Sequence, residues 1–338
     1  MTDLSARDRE LLSRWQRDFP LVPRPFARLA EEAGTGEDEI ISAVRALTRA
    51  GIICRTGAVV RPNTAGASTL AAVAAPAGRL EEIAEIISAQ PEVTHNYERE
   101  HELNLWFVVT AADRGGVRAA LARIHAMTGL EVLDLPMLKA YHIDLAFALR
   151  GKDGAVVSDC RPERPARAPG LTPFDRRLLA AIEDGLPIEA RPYARVARWL
   201  GADEGKVRGR LAALLDSGVI RRFGFVVNHR ALGYRANAMV VWDIPDALID
   251  EAAATIAREA CVTLCYQRPR KPPVWRYNLF CMIHGTSRDV VLAQLAALAE
   301  KARAATGLDD IPHAPLFSLR RFKQCGARFS AGLKAGAA

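Results

Sequence analysis

The stretch "GIICRTGAVV" at residues 51–60 returns, with few changes, as "GVIRRFGFVV" at residues 218–227. Adding 167 to the residue number also aligns "RPFARLAEEAG" (24–34) with "RPYARVARWLG" (191–201), and no gap is needed. The offset drifts later, to 169 at Tyr97 and Tyr266. A repeat of this length predicts two copies of one structural unit. We call residues 1–150 copy one and residues 168–330 copy two.

The size and charge of the chain set broad limits. Its 338 residues exceed what one hydrophobic core usually holds, so several domains are expected. The formal charge of +7 suits an anionic partner, either nucleic acid or a small molecule rich in carboxylates or phosphates, although net charge alone favours a solvated arginine-rich surface. The six cysteines form no C-x-x-C pair and are expected to be reduced thiols. Neither a signal sequence nor a membrane-length apolar run is evident, which favours the cytoplasm.

The first part of each copy predicts a winged helix-turn-helix. In copy one, Pro25 suits the first turn of a second helix and Gly34 its end. Apolar residues at helical spacing predict a third helix over residues 38–50. The β-prone run "IICRTGAVV" follows, and we expect it to turn at Thr56–Gly57 as a hairpin.

The second part of each copy predicts the order βαββαβ. In copy one, "STLAAVAA", "EVTHNYERE", "LNLWFVVTA" and "VLDLPMLKAYHIDLAF" read as strands, and "GRLEEIAEIISAQ" and "RGGVRAALARIHAMTG" read as helices. This order is typical of a ferredoxin-like sandwich. We therefore predict an α+β fold, a tandem repeat of winged helix-turn-helix plus ferredoxin-like domain. The expected domains are residues 1–62, 63–150, 168–230 and 231–330, with a linker at 151–167.

One predicted strand carries unusual chemistry on one face. Side chains alternate along a strand, so His95, Tyr97, Arg99 and His101 should point the same way. The matching row in copy two is Leu264, Tyr266, Arg268 and Arg270, so the tyrosine and the first arginine are kept and both histidines are replaced. The row is either a solvated face of an antiparallel sheet or one half of a binding site.

Longer motifs resemble a known family. The combination of winged helix and βαββαβ domain is similar to the Lrp/AsnC regulators. "HNYEREHELNLWFVVTA", "GVIRRFGFVVNHRALGY", "YQRPRKPPVWRYNLFCMIHG" and "LRRFKQCGARF" together resemble the siroheme decarboxylases of the fused NirDL type. Copy one looks like the D-type subunit and copy two like the L-type subunit. The resemblance implies removal of two acetate carboxyl groups from siroheme, giving 12,18-didecarboxysiroheme in heme d1 biosynthesis, with no cofactor beyond the iron that the substrate carries.

Siroheme is a flat macrocycle ringed by carboxylates, so its site needs cations at the rim, apolar walls and a proton donor. We expect His95, His101 and Tyr97 to be catalytic. The residues expected to bind substrate are Arg99, His142, Arg222, Tyr266, Arg268, Arg270, Lys271, Trp275, Tyr277, Arg320, Arg321 and Lys323. Trp275 is expected to lie over the ring as part of a lid. Whether His95, His101 or His142 ligates the siroheme iron or donates a proton stays open.

The main alternative is an Lrp/AsnC-type DNA-binding transcription regulator, with or without tetrapyrrole sensing, because winged helices commonly read DNA. In copy one, however, Glu37, Asp38 and Glu39 would place three carboxylates at the start of the third helix, against phosphates. We therefore expect siroheme as the substrate, with neither DNA nor a membrane as partner. The two copies should pair as an internal pseudo-heterodimer, which could pair again or join related decarboxylase subunits.

Overall fold

The computed structural model describes residues 4–143, 170–228 and 234–326. The elements of copy one are α1 (Ala6–Arg14), α2 (Pro25–Ala33), α3 (Glu37–Arg49), β1 (Ile53–Val60), β2 (Ala67–Val73), α4 (Leu80–Ala89), β3 (Val93–Arg99), β4 (Leu105–Ala111), α5 (Arg114–Thr128), β5 (Leu133–Pro136) and β6 (Lys139–Ile143). A short 3-10 turn, Ala77–Arg79, precedes α4.

Copy two repeats this order. Its elements are α6 (Pro173–Ala181), α7 (Pro192–Leu200), α8 (Glu204–Asp216), β7 (Ile220–Val227), β8 (Ala236–Trp242), α9 (Ile249–Ala257), β9 (Val262–Gln267), β10 (Leu279–Gly285), α10 (Arg288–Thr306) and β11 (His313–Gln324). Another 3-10 turn, Asp246–Leu248, precedes α9. None of the helices in these described ranges is long and apolar enough to span a membrane.

Two compact units form, and each takes one part from each copy. One contains the winged-helix parts, residues 4–66 and 170–228, and the other contains the sheet parts, residues 67–143 and 234–326. We call them the winged-helix unit and the sheet unit. The domain boundaries expected from the sequence stay predictions.

Local sequence explains the helix ends of the winged-helix unit. Pro25 and Pro192 occupy the first turns of α2 and α7, where the missing N–H group needs no partner. Gly34 and Gly201 end these helices with φ values of 62° and 59°, which glycine adopts without strain. The predicted second and third helices of copy one are confirmed.

The predicted hairpin at Thr56–Gly57 is wrong. β1 runs through these residues as one strand and pairs antiparallel with β7 of the other copy, with Gly57 opposite Gly224. The β-prone pattern is correct, but a pattern within one copy does not identify the partner strand. The equivalent run of copy two is as β-prone and supplies that partner.

A segment of the opposite copy runs beside each of these paired strands and forms backbone hydrogen bonds with it. The N–H group of Phe225 donates to the Trp15 carbonyl over 2.8 Å, and the N–H group of Leu186 donates to the Thr56 carbonyl over 2.7 Å. The segment after the first helix of each copy therefore lies along the wing strand of the other copy. The two copies are interlocked in this unit.

The sheet unit contains a nine-stranded antiparallel sheet in the order β5-β2-β4-β3-β11-β8-β10-β9-β6. Its first four strands belong to copy one and the next four to copy two. Both sets have the order fourth, first, third, second in chain sequence, which is the ferredoxin-like arrangement. The predicted fold class is confirmed.

In this sheet, the last strand residues of each copy pair with a strand of the other copy. Residues 313–317 of β11 pair with β8 of their own copy, and residues 318–324 pair with β3 of copy one. In return, β6 of copy one pairs with β9 of copy two. The edge strand of each half is therefore covered by the other half.

The last strand predicted for copy one is two strands. β5 and β6 lie at opposite ends of the sheet order, although only Met137 and Leu138 separate them in the chain. Such a short connection brings the ends of the sheet together, so the sheet must curl back on itself. Residues 144–147 of that predicted strand lie outside the described residues.

The sheet unit has hydrophobic packing on both faces of its sheet. Residues of α4 and α5 pack on copy one, and those of α9 and α10 pack on copy two. The opposite face carries a cluster that mixes both copies, and we call it the shared core. Its buried members are Ala72, Trp106, Leu135, Met239, Val241, Trp275, Phe280 and Leu316.

Substitution of Gly224 by Ala tests the interlocked wings. A Cβ atom there would lie 2.4 Å from the Trp15 carbonyl oxygen, so we expect a loss of about 1–3 kcal/mol in the free energy of unfolding. Gly209→Ala is the control, because a Cβ atom at that exposed position of α8 meets nothing within 4 Å. It should stabilise the protein by about 0.5–1 kcal/mol. Equal denaturation midpoints for the two variants would contradict the interlocking.

Candidate active site

We call the face of the sheet that carries the shared core the inner face. On β3, this face carries the polar residues that the sequence predicted to share one side, up to the end of the strand. Asn96 donates to the Ala84 carbonyl and to Ser88 of α4, so it points towards the helices. His95, Tyr97 and Arg99 alternate with it and lie on the face of the shared core. His101 lies beyond the end of the strand.

The end of β11 completes this face from copy two. Arg321 stands opposite Tyr97, and Gln324 stands opposite His95. Arg321 donates to the Gln324 side chain over 2.9 Å. The rings of His95 and Tyr97 stack with centroids 6.3 Å apart and planes 24° apart. We call His95, Tyr97, Arg321 and Gln324 the polar strip.

The equivalent place at the other junction of the two copies has neither the cation nor the imidazole among the described residues. There Tyr266 lies opposite Ala140 of β6, and Leu264 occupies the position that His95 has in copy one. The arrangement of strands is repeated, but the cation and the imidazole are not. Within the described ranges, the polar strip therefore exists at one of the two junctions.

His101 is held in a defined orientation. Its Nδ1 accepts the Leu103 N–H group over 3.0 Å, and its ring meets the ring of Trp275 edge-on at 5.5 Å. Because an acceptor nitrogen cannot carry the proton, the neutral ring is protonated at Nε2. Burial lowers the pKa of this half-buried histidine, against a smaller effect of Glu102.

Trp275 lies inside the shared core, where it is 1% exposed, and is not an open lid over a ring site. Its neighbours are the rings of His101, Trp106, Tyr277 and Phe280. Lys271 and Trp275 exchange two backbone hydrogen bonds, of 2.7 and 2.8 Å, which close the turn that carries the indole. The side chain of Lys271 is exposed.

Arg270 belongs to an ion-pair cluster that fixes this loop. It donates to Asp243 over 2.8 Å and also to Asp246, and Arg276 donates to the second oxygen of Asp243 over 2.7 Å. Burial would raise the pKa of Asp243, but the hydrogen bonds from both arginines outweigh it and lower that pKa. The structure thus gives Arg270 protein partners where the sequence suggested substrate.

Three more predicted residues lie on the helix side of the sheet, away from the polar strip. Arg320 pairs with Glu98 and Glu81, and Lys323 donates to the carbonyl groups at the end of α4. His142 stands opposite Cys265, whose thiol packs towards α9. Cross-strand neighbours share a face. Which face each of these residues occupies depends on the register of β11 with β3 and of β6 with β9. This register could not be predicted from the sequence of either copy alone.

The two arginines shared by the copies have matching contacts. Arg99 donates to the Leu316 carbonyl over 2.9 Å, and Arg268 donates to the Leu135 carbonyl. Burial lowers the pKa of each to about 10. Arg222 lies in the winged-helix unit, where it donates to the Gln16 and Phe225 carbonyls.

The sequence reasoning missed Gln324 and Thr94. The hydroxyl group of Thr94 and the Nδ1 atom of His95 form a hydrogen bond of 3.0 Å. Gln324 lies in the quoted "LRRFKQ" motif, but only the pairing of β11 with β3 places it beside His95. Across the three described ranges, no three His, Cys, Asp or Glu side chains are grouped so that they could hold a metal ion.

Fold and site together define a duplicated protein of the AsnC-like class. The AsnC-like ligand binding domain family matches residues 65–142 and 231–323, and the siroheme decarboxylase NirDL-like HTH domain family matches residues 8–53 and 175–221. The chain is 46% identical to the siroheme decarboxylase NirDL subunit of Paracoccus denitrificans, over 97% of each chain. The chain belongs to the siroheme decarboxylase family.

Two further likenesses agree with this assignment. The NirD subunit of the siroheme decarboxylase of Pseudomonas aeruginosa is 52% identical over 44% of this chain and 97% of its own. A crystal structure of the siroheme decarboxylase NirDL in co-complex with an iron-uroporphyrin III analogue superposes with a TM-score of 0.68 at 28% identity, covering 97% of each chain. The predicted family resemblance is confirmed.

Substitution of Asp243 by Asn tests the ion-pair cluster behind Trp275. The lowered pKa means that Asp243 stabilises the fold above its unfolded pKa near 4 and that this contribution is lost as pH falls through the folded pKa. At neutral pH the variant should lose about 1.5–3 kcal/mol of unfolding free energy. Its stability should also fall less steeply than that of the wild type on acidification.

Asp250→Asn is the matched control for this measurement. Asp250 likewise accepts a hydrogen bond from a cation, Lys139, but the Asp250 side chain is 67% exposed, so water screens the pair. Denaturant titrations at neutral and acidic pH compare the three proteins. Equal losses in both variants would show that the cluster around Asp243 has no special role.

Proposed function

We propose that this chain removes two acetate carboxyl groups from siroheme as carbon dioxide and gives 12,18-didecarboxysiroheme, a step of heme d1 biosynthesis. The observation that carries the proposal is the full-length likeness to the siroheme decarboxylase NirDL subunit, with 46% identity over 97% of each chain. The polar strip supports it, because cation, imidazole and phenol adjoin the apolar shared core.

The chemistry of siroheme fits this strip. Arg321 is exposed on the inner face beside Tyr97, and a guanidinium binds both oxygens of a carboxylate. Tyr97, which is partly exposed, offers an aromatic face beside this cation, whereas the aromatic members of the shared core are buried behind the strip. Tyr97 lies between the imidazole of His95 and the guanidinium of Arg99, whose Cζ is 5.6 Å from its ring centre.

Each decarboxylation breaks one carbon–carbon bond and consumes one proton. The electron pair left on the methylene carbon delocalises into the macrocycle and takes up a proton, so the acetate becomes a methyl group. A side chain that can carry a proton near neutral pH serves this step, and histidine is the usual choice.

The hydrogen bonds give the two histidines of copy one different roles in this proposal. The Thr94 hydroxyl donates to the Val108 carbonyl over 3.4 Å, so its oxygen can accept the Nδ1–H of His95. His95 can then gain a second proton without losing this bond. His101 cannot, because its Nδ1 accepts the Leu103 N–H group. We assign proton delivery to His95 and a neutral Nε2–H donor to His101.

We propose no cofactor beyond the iron that siroheme brings. As for partners, relatives with separate NirD, NirL and NirH subunits exist, and a single one of them covers about half of this chain. The proposal is that the two copies form the decarboxylase pair within one chain. Association with further subunits stays part of the proposal.

The DNA-binding alternative meets an obstacle in α8, the third helix of copy two. Arg210 makes two hydrogen bonds, of 2.9 and 2.8 Å, with the buried Asp175, and Arg208 donates to the Leu21 carbonyl. The Lys206 ammonium lies over the Phe174 ring at 4.6 Å. The cations that would contact phosphates are thus engaged within the protein.

The equivalent helix of copy one is acidic where it begins. Glu37 pairs with Arg24, and Glu39 accepts from Arg7 and from Thr35. The wing strands pair with each other, so neither is a free wing for a DNA groove. The comparisons agree with a decarboxylase and not with a DNA-binding regulator.

Anaerobic incubation of the purified chain with siroheme tests the proposed reaction. We expect the tetrapyrrole to lose the mass of two carbon dioxide molecules in a time-dependent way, with a one-carboxyl intermediate at early times. Heat-denatured protein is the control. Siroheme that is bound by the folded protein but recovered intact would overturn the proposal.

Single substitutions by glutamine test the roles of the two histidines. His95→Gln should lower kcat by about 10²–10⁴-fold, because glutamine cannot deliver a proton. His101→Gln keeps an N–H donor near the position of Nε2 and should lose less. Siroheme titrations check that both variants still bind. A larger loss of kcat in His101→Gln would reverse the assignment.

A further inference from the structure

Arg99 and Arg268 are equivalent residues of the two copies, and each reaches across to the other copy. Arg99 on β3 donates to the carbonyl of Leu316, and Arg268, which follows β9, donates to that of Leu135. Both acceptors lie in the fourth strand of the opposite copy and belong to the shared core. The contact is made twice, with the copies exchanged.

The acceptor of Arg99 lies in the part of β11 that belongs to the sheet of copy two. Leu316 pairs with Met239 of β8, and the pairing of β11 with β3 begins only at Ser318. That second pairing contains two register irregularities, between Ser318 and Arg320 and between Arg321 and Lys323. We call this pairing of β11 with β3, and the equivalent pairing of β6 with β9, the two seams. Backbone pairing alone therefore fixes the register of the first seam only loosely.

We call the hydrogen bond from Arg99 to the Leu316 carbonyl the tie. The electrostatic surroundings of Arg99 also suit such a structural role. Arg99 is almost fully buried, and no carboxylate in the described residues forms an ion pair with it. Its partners are the neutral Leu316 carbonyl and the Tyr97 ring. Burial lowers its pKa to about 10, so it is still charged at neutral pH.

We propose that Arg99 is a positioning residue, whose hydrogen bond to the Leu316 carbonyl sets the register in which Arg321 of copy two faces Tyr97 and His95 of copy one. Arg268 makes the same tie at the other seam, where Ala140 and Leu264 replace the cation and the imidazole. The inference rests on the proposed function for what this register serves. The tie itself does not depend on that function.

Arg99→Met and Arg268→Met form a matched pair of variants. Methionine roughly keeps the volume of the buried stem and removes the hydrogen bond. We expect similar losses of thermal stability, because the contacts are equivalent. Arg99→Met should lower kcat for siroheme on the order of 10²-fold more than Arg268→Met, because it displaces the polar strip. The KM of Arg99→Met should stay that of the wild type.

Amide hydrogen exchange tests the tie without reference to activity. Arg99→Met should speed exchange in residues 93–99 and 318–324, and Arg268→Met should speed it in residues 139–143 and 262–267. If the wild type leaves siroheme intact, the proposed function fails, and this measurement alone decides on the tie. Unchanged exchange in residues 318–324 of Arg99→Met would overturn it.

Two kinetic results would also overturn the proposal. A raised KM with an unchanged kcat in Arg99→Met would show that Arg99 binds a substrate carboxylate directly. Equal losses of kcat in the two variants, in proportion to their loss of stability, would show that Arg99 supports the fold and has no particular relation to the polar strip.

Discussion

The pairing of β3 with the end of β11 is the contact on which the sheet unit depends. β3 is the edge of the sheet that copy one builds alone, and an uncovered edge strand presents unpaired backbone groups. Residues 318–324 of copy two cover it, and β6 of copy one covers the equivalent edge of copy two. Because each copy completes the other, one copy cannot form this arrangement alone. The polar strip follows from the same pairing, since it combines His95 and Tyr97 with Arg321.

Duplication within one chain supplies an internal comparison of fold and chemistry. Positions that are identical in both copies, such as Tyr97 with Tyr266 and Arg99 with Arg268, make equivalent contacts at the two seams. At positions that face the strip, copy one has His95 where copy two has Leu264. The shared residues therefore support the repeated architecture, and the differing residues distinguish the seam that carries a cation and an imidazole.

The sequence predicts the elements well and their partners poorly. Helical and strand periodicities are local properties, and the repeat confirms them twice, so the βαββαβ order and the helix ends set by Pro25 and Gly34 were predictable. The partner of β1 and the division of the last strand of copy one were not, since both depend on contacts between copies. The same limit applies to the site. Arg321 and Lys323 are two residues apart in "LRRFKQ", yet an irregular register places only Arg321 on the inner face.

Net charge was the coarsest of the sequence arguments, and the structure shows why. A charge of +7 suggests free cations for an anionic partner. Many of the arginines and lysines considered for such a partner are instead engaged by protein groups, as are Arg210 on Asp175, Arg270 on Asp243 and Lys323 on the end of α4. Arg321 differs in its surroundings, because it is exposed and donates to the neutral amide of Gln324, and no carboxylate in the described part of the chain pairs with it. Location on the inner face, and not the total charge, distinguishes the cation that we propose binds an acetate or propionate of the tetrapyrrole.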